Sequence, residues 1–278
     1  MKEQDYQKEF CAAVDRYAYR YSRWQIWTDF LYLSAASLAN VFPIPEREER
    51  ENQYLSVIGR YTEEEQKIFP EMLTLVAMAL DENPEQDFLG SLYHRLELQQ
   101  EQKGQFFTPY DISRFMAEIQ FAGRSEKEEL EKNGYISVND PACGAGAMLI
   151  AFANAAKRNG LNYQKQVLFV AQDIDHTAAM MCYIQLSLLG CPAVVIIGDT
   201  LAKPMFHPDN EVWYTPFYYL NRWRFSQRSG LEETAKGAGE TEKNGIPEER
   251  TREICLPENM EFVEGMDGQF TFSLKKAS

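Results

Sequence analysis

The residues with the most chemical promise are Asp140-Pro141-Ala142-Cys143-Gly144-Ala145-Gly146. A β-branched and aromatic run, Tyr135 to Val138, precedes them and reads as a strand. An Ala-, Met- and Leu-rich run, Ala147 to Arg158, follows without Gly or Pro and reads as a helix. A strand, a Gly-containing turn and a helix open a nucleotide-binding βαβ unit. The glycines let the backbone approach a ligand, and the helix N-terminus offers N–H groups to an anion. The dinucleotide pattern GxGxxG fits badly, because its third glycine would fall at Leu149. A Gly-x-Gly turn entered by Asp-Pro suits a ligand with one carboxylate and no pyrophosphate, such as S-adenosylmethionine (AdoMet). The alternative is a tight β–α turn that binds nothing.

Three further stretches belong with this loop. Ala171-Gln172-Asp173-Ile174-Asp175 ends the next strand. Ligands of doubly wound sheets sit beyond the carboxyl ends of the strands, where an acidic residue takes the ribose hydroxyls. Asp173 suits that task, with Ile174 packed on the adenine, while Asp175 suits the cap of the following helix. Gly198-Asp199-Thr200-Leu201 ends the third strand, where an acid can accept from the adenine amine. Gly104-Gln105-Phe106-Phe107-Thr108-Pro109 precedes the loop and places a proline at a helix entrance.

Together these stretches resemble the N6-adenine DNA methyltransferases, in particular the modification subunits of type I restriction–modification systems. Asp87-Phe88-Leu89-Gly90 is similar to the family's helical lead-in. The resemblance implies that Phe107, Thr108, Pro109, Asp140, Pro141, Ala142, Gly144 and Gly146 hold the methionine moiety of AdoMet. It assigns Asp173 and Ile174 to ribose and adenine, and Asp199 and Thr200 to the adenine edge. It also implies DNA as substrate, reached through a separate specificity subunit in a homo- or hetero-oligomer. The family's catalytic tetrapeptide, Asn/Asp-Pro-Pro-Tyr/Phe, accepts the hydrogens of the adenine amine and stacks on the flipped base. This sequence has no such tetrapeptide. Its nearest candidate is Tyr214-Thr215-Pro216-Phe217, which lacks the Asn amide. The alternative function is therefore a non-catalytic AdoMet-binding or assembly module.

The elements that must position these residues can be read in order. Residues 5 to 41 carry an apolar stripe (Phe10, Val14, Tyr17, Tyr21, Trp24, Leu31, Ala35, Leu38) that predicts one long helix. Its Tyr/Trp/Arg mixture at 16 to 32 reads as core aromatics flanked by solvated arginines, or as a nucleic-acid surface. The stripe is also long for one helical layer to cover, which suggests a partner. Glu46 to Glu51 reads as a charged connector, and Thr62 with Glu65 as a capping box. Pro70 predicts a break before a helix from Glu71 to Leu80, and Asp87 to Gln102 predicts another helix. Helix Asp111 to Phe121 and an acidic helical stretch, Glu126 to Lys132, come next. Strands are expected at 135–139, Gln166 to Ala171 and Ala193 to Ile197, with a helix from His176 to Leu189. Ser229 to Thr251 reads as a mobile loop, and Met260 to Leu274 as a hairpin turning at Gly265-Met266-Asp267-Gly268.

The expected fold class is α/β: a Rossmann-like, doubly wound, mostly parallel methyltransferase sheet preceded by an all-helical N-terminal domain. The expected units are 1–103 (helical), 104–228 (AdoMet-binding core) and 229–278 (loop and hairpin).

Composition narrows the partners. With 278 residues, 45% apolar and 25% charged, the chain is an ordinary globular protein. Five scattered cysteines without CxxC, and three histidines, argue for reduced thiols in the cytoplasm and against a zinc site. The longest apolar runs span about nine residues, such as Met72 to Leu80, far short of the roughly 20 that cross a bilayer. The net charge of −14 is unlike a protein that grips DNA alone, since phosphate neutralisation supplies most non-specific affinity. Local clusters (Arg16, Arg20, Arg23 and Arg222, Arg224, Arg228) are the exceptions.

Overall fold

A computed structural model describes residues 5–98, 107–122, 129–131, 134–205, 207–221, 260–264 and 270–274. The architecture is mixed α/β around a four-stranded sheet of order β1-β2-β3-β4. Strands β1 (Ile136–Asp140), β2 (Val167–Asp173) and β3 (Ala193–Ile197) run parallel. Their ranges follow the sequence expectation closely, because each is a β-branched run bounded by turn residues. Strand β4 (Glu211–Tyr214) was not expected, and it pairs antiparallel to β3. Helix α8 (Ala147–Arg158) links β1 to the short α9 (Tyr163–Gln166) and β2, and α10 (His176–Leu188) links β2 to β3.

The described elements before residue 96 are all helices: α1 (Tyr6–Asp15), α2 (Arg23–Ala39), α3 (Arg47–Ile58), α4 (Glu63–Gln66), α5 (Ile68–Glu82) and α6 (Phe88–Arg95). The single helix expected over 5–41 is broken at 16–22. Ser22 adopts an extended conformation and its side chain accepts from the Gln25 N–H, which starts a second helix. The fold-back lets Phe10 meet Trp27 and Phe30 edge-on at 5.9 and 5.2 Å. The stripe packs on the protein's own core: Phe10, Val14, Leu31 and Ala35 are buried, and Tyr17, Tyr21, Trp24 and Leu38 are partly buried against them. The arginines are paired. Arg16 grips Glu71 bidentately, Arg20 pairs with Glu65 and Arg23 with Asp15. The aromatics of 16–32 thus lie against the core with the arginines at their solvated flank, the first of the two readings.

Two other local expectations shift. The capping box of Thr62 and Glu65 is present, but the helix break falls at Lys67. Pro70 lies in the first turn of α5, where its missing N–H costs nothing. The charged connector at 46–51 is the start of α3, whose Arg, Glu and Gln are good helix formers. Arg50 on that helix stacks 3.8 Å over the Trp213 ring and donates to the Val212 carbonyl, fastening α3 to β4. One continuous core runs from Phe10 and Trp27 through Leu89 and Tyr183 to Trp213. The opposite sheet face is smaller: Val170, Val194 and Ile196 are covered by Tyr218.

Strands β5 (Met260–Glu264) and β6 (Phe270–Leu274) pair antiparallel, as the hairpin reading expected. Between them, Gly265 to Gly268 lies outside the described residues, as do Gly104, Gln105, Phe106, Arg222, Arg224, Arg228 and the stretch Ser229 to Thr251. Of the acidic stretch 126–132, residues 129–131 are described and are helical. Among the described residues, no helix is long and apolar enough to cross a membrane.

Candidate functional site

The crevice lies beyond the carboxyl ends of β1, β2 and β3, where three sequence segments are hydrogen-bonded to one another and a fourth packs on them. The Asp140 carboxylate accepts from the Ala142 N–H at 3.2 Å, turning the chain sharply after β1. The next residues form a loop with two left-handed glycines, Gly144 at φ +54° and Gly146 at φ +97°. A side chain at Gly144 would meet the Phe107 ring at 2.9 Å, so Phe107 lies directly on this backbone. Phe107 in turn packs against Tyr93 and His94, each with ring centroids 5.5 Å away. The Thr108-Pro109 segment, exposed beside it, leads into α7 (Tyr110–Ala122).

Asp173 joins the second segment to the first. One carboxylate oxygen accepts from the Gly144 N–H at 2.8 Å, the other from the Asp175 N–H at 2.9 Å. The residue expected to take ribose is thus also the brace of the glycine loop. Asp175 caps α10 through the Thr177 and Ala178 N–H groups. The third segment closes the ring: Gly198 N–H donates to the Asp173 carbonyl, and the Thr200 hydroxyl donates to the Pro141 carbonyl at 2.6 Å. The Asp199 side chain accepts from the Leu201 and Ala202 N–H groups. Ile174 and Leu201 stand 69% and 96% exposed at the rim.

The electrostatics suit a cation. Burial pushes the carboxyls of Asp140 and Asp173 above their ordinary value, opposed by the backbone N–H bonds each accepts. The Asp173 charge raises Asp140 further. Among the described residues, none of Asp140, Asp173 and Asp199 has a cationic side chain paired to it. The N-terminus of α8 adds backbone donors at the same place, since its cap, Gly146, has no side chain to satisfy them. A molecule carrying a positive centre and a carboxylate fits this donor set.

Comparison with known protein families gives a match over residues 85–256, more than half of the chain, to the family described as N-6 DNA methylase. The chain belongs to the N-6 DNA methylase family. No curated protein matches it.

In this N-6 DNA methylase family member, the tetrapeptide candidate is not brought to the crevice. Because β4 runs antiparallel, Tyr214 pairs with Val194 and Thr215 sits beside Ala193, at the amino end of β3. Ala193 and Ile197 are four residues apart, so the two rims are separated by about 13 Å of strand. The Thr215 hydroxyl accepts from the Ala193 N–H at 2.8 Å and donates to the Cys191 carbonyl at 2.7 Å. Pro216 opens helix α11 (Pro216–Leu220), and Phe217 is buried against Gly190. The Tyr214 carbonyl accepts from the Tyr183 hydroxyl. These residues hold the amino rim together, and a buried Phe217 presents no face to a base.

Two site residues escaped the sequence reading. Gln172, 1% exposed, donates to the Gly198 and Lys203 carbonyls and accepts from the Met205 N–H, shaping the loop that carries Asp199. Asn210 bridges the Lys203 and Met205 carbonyls of that loop. Gln172 lies within the quoted 171–175 stretch, but its role there has no sequence signal beyond a polar residue inside an apolar strand.

Proposed function

We propose that this chain binds AdoMet at the carboxyl rim and serves as the AdoMet-binding subunit of an N6-adenine DNA methyltransferase of the type I modification kind. The observation that carries the reading is the bonded ring of Gly144, Asp173, Gly198, Thr200 and Pro141, with the Phe107 ring packed on Gly144. Bound AdoMet would supply a methyl group on a sulfonium. Thr108, Pro109, Asp140, Pro141, Ala142, Gly144 and Gly146 would hold its amino-acid end, Asp173 the ribose, and Ile174, Asp199 and Thr200 the adenine. DNA would reach the crevice through a separate specificity protein, consistent with the net charge of −14.

A second reading, a non-catalytic AdoMet-binding or assembly module, is favoured by the placement of Tyr214 to Phe217 away from the crevice. Calorimetry with AdoMet and with its demethylated product S-adenosylhomocysteine (AdoHcy) tests the binding half of both readings, which fail together if neither ligand binds. Methyl transfer from labelled AdoMet to mixed genomic DNA, with and without the products of neighbouring genes, separates them. Transfer only in the presence of a partner supports the subunit. No transfer in any combination supports the module.

A further inference from the structure

We infer that Gln185 is a positioning residue for the AdoMet site, holding the Gly144–Gly146 loop in its bound-ready form through the Ala145 carbonyl. The inference rests on the AdoMet reading above. Gln185 is fully buried on α10, whose inner run is otherwise almost wholly apolar. Its amide nitrogen donates to the Ala145 carbonyl at 2.8 Å and to the Asp87 carboxylate at 2.9 Å. Its amide oxygen accepts from the Leu89 N–H at 3.1 Å. Both donors and one acceptor site of a primary amide are thereby used, two of the bonds on the start of α6 and one on the glycine loop. Asp87 is itself buried and caps α6 by accepting from the Gly90 N–H at 2.9 Å.

Capping α6 needs only Asp87, so the bond to Ala145 has a separate purpose. Ala145 stands between the two left-handed glycines, where the backbone has the most freedom to turn a peptide over. The loop is otherwise fastened by Cys143 N–H on the Gln172 carbonyl, by Gly144 N–H on Asp173 and by Gly146 N–H on the Cys143 carbonyl. None of these bonds fixes the carbonyl of Ala145. A donor buried behind the loop draws that oxygen inward, which keeps its negative end away from a ligand carboxylate. The same side chain ties the loop to α6, the helix that carries the Tyr93 and His94 rings under Phe107. One amide therefore sets two walls of the crevice.

The test compares Gln185→Met, which keeps the volume and removes the hydrogen bonds, with Tyr61→Phe. The latter deletes an equally buried bond, Tyr61 hydroxyl to Asp29 at 2.7 Å, in the helical layer. Both should lower Tm. Only Gln185→Met should weaken AdoHcy binding, by about tenfold to a hundredfold, and only it should speed amide hydrogen exchange at residues 142–147. The exchange is read on the ligand-free chain, so it judges the clamp even if AdoHcy does not bind the parent, an outcome that sinks the AdoMet reading instead. Unchanged exchange and affinity in Gln185→Met, or equal losses in Tyr61→Phe, overturn the inference. Should Gln185→Met not fold, Gln185→Asn keeps a buried amide that is one methylene too short and must show the same selective loss.

Discussion

The two ends of β3 carry motif candidates of the same apparent standing, and they are built differently. At the carboxyl end, polar groups from three segments meet, the carboxyls of Asp140 and Asp173 sit at raised pKa, and Ile174 and Leu201 face solvent. At the amino end, Thr215 and Phe217 are buried, and their polar atoms bond to β3, the turn before it and the short helix they open. The first arrangement leaves groups available to a ligand. The second spends them on the fold. A Pro-aromatic pair reads alike in both settings, and strand direction alone decides which it is.

The comparison breaks most readily at Phe217. Truncation to Ala should cost about 3–5 kcal/mol of stability, the usual range for a buried phenylalanine, while AdoHcy affinity of the folded fraction stays unchanged. Urea unfolding with parallel calorimetry checks both. A stable Phe217→Ala chain that had lost methyl transfer would return the residue to the chemistry. The double change Tyr214→Asn with Thr215→Pro, which rebuilds the family tetrapeptide, should bring no gain in methyl transfer. It should instead destabilise, because the Thr215 N–H and hydroxyl both bond the β3 end.

Smaller effects sharpen the carboxyl rim. Asp173→Ala removes the acceptor of the Gly144 N–H and the presumed ribose partner, and should weaken AdoHcy binding by ~1–3 kcal/mol. A mutant that binds like the parent would show that Asp173 neither braces the loop nor meets the ligand.

The smallest expected effect is in pH. The raised carboxyls of Asp140 and Asp173 must be ionised to favour a cation, so AdoMet affinity declines as pH falls through their raised values, above the ordinary ~3.9. Stability of the ligand-free chain has the opposite sign. A folded pKa above the unfolded one means the fold holds the proton more tightly, so the contribution of these two groups grows as pH falls through that window. Calorimetry along a falling pH series, carried down through the ordinary carboxylate range of ~3.9, distinguishes the cases, and a profile flat throughout would remove both acids from the binding site.

The sequence by itself determined the parallel strands, the helices between them and the residues at each strand end. Those features are local: β-branched runs, Gly and Pro punctuation and helix caps act over a few residues. Ser22 shows the limit, since a hydrophobic period continued across a cap and hid the fold-back that buries Phe10 on Trp27. The roles of Gln172 and Gln185 were hidden for another reason: a lone amide in an apolar element declares its partners only when distant backbone arrives. The tertiary structure alone decided the direction of β4. An isolated four-residue strand pairs equally well either way, and its long-range contacts with β3, Arg50 and Tyr183 set the outcome, placing Tyr214 to Phe217 at the rim where no ligand is expected.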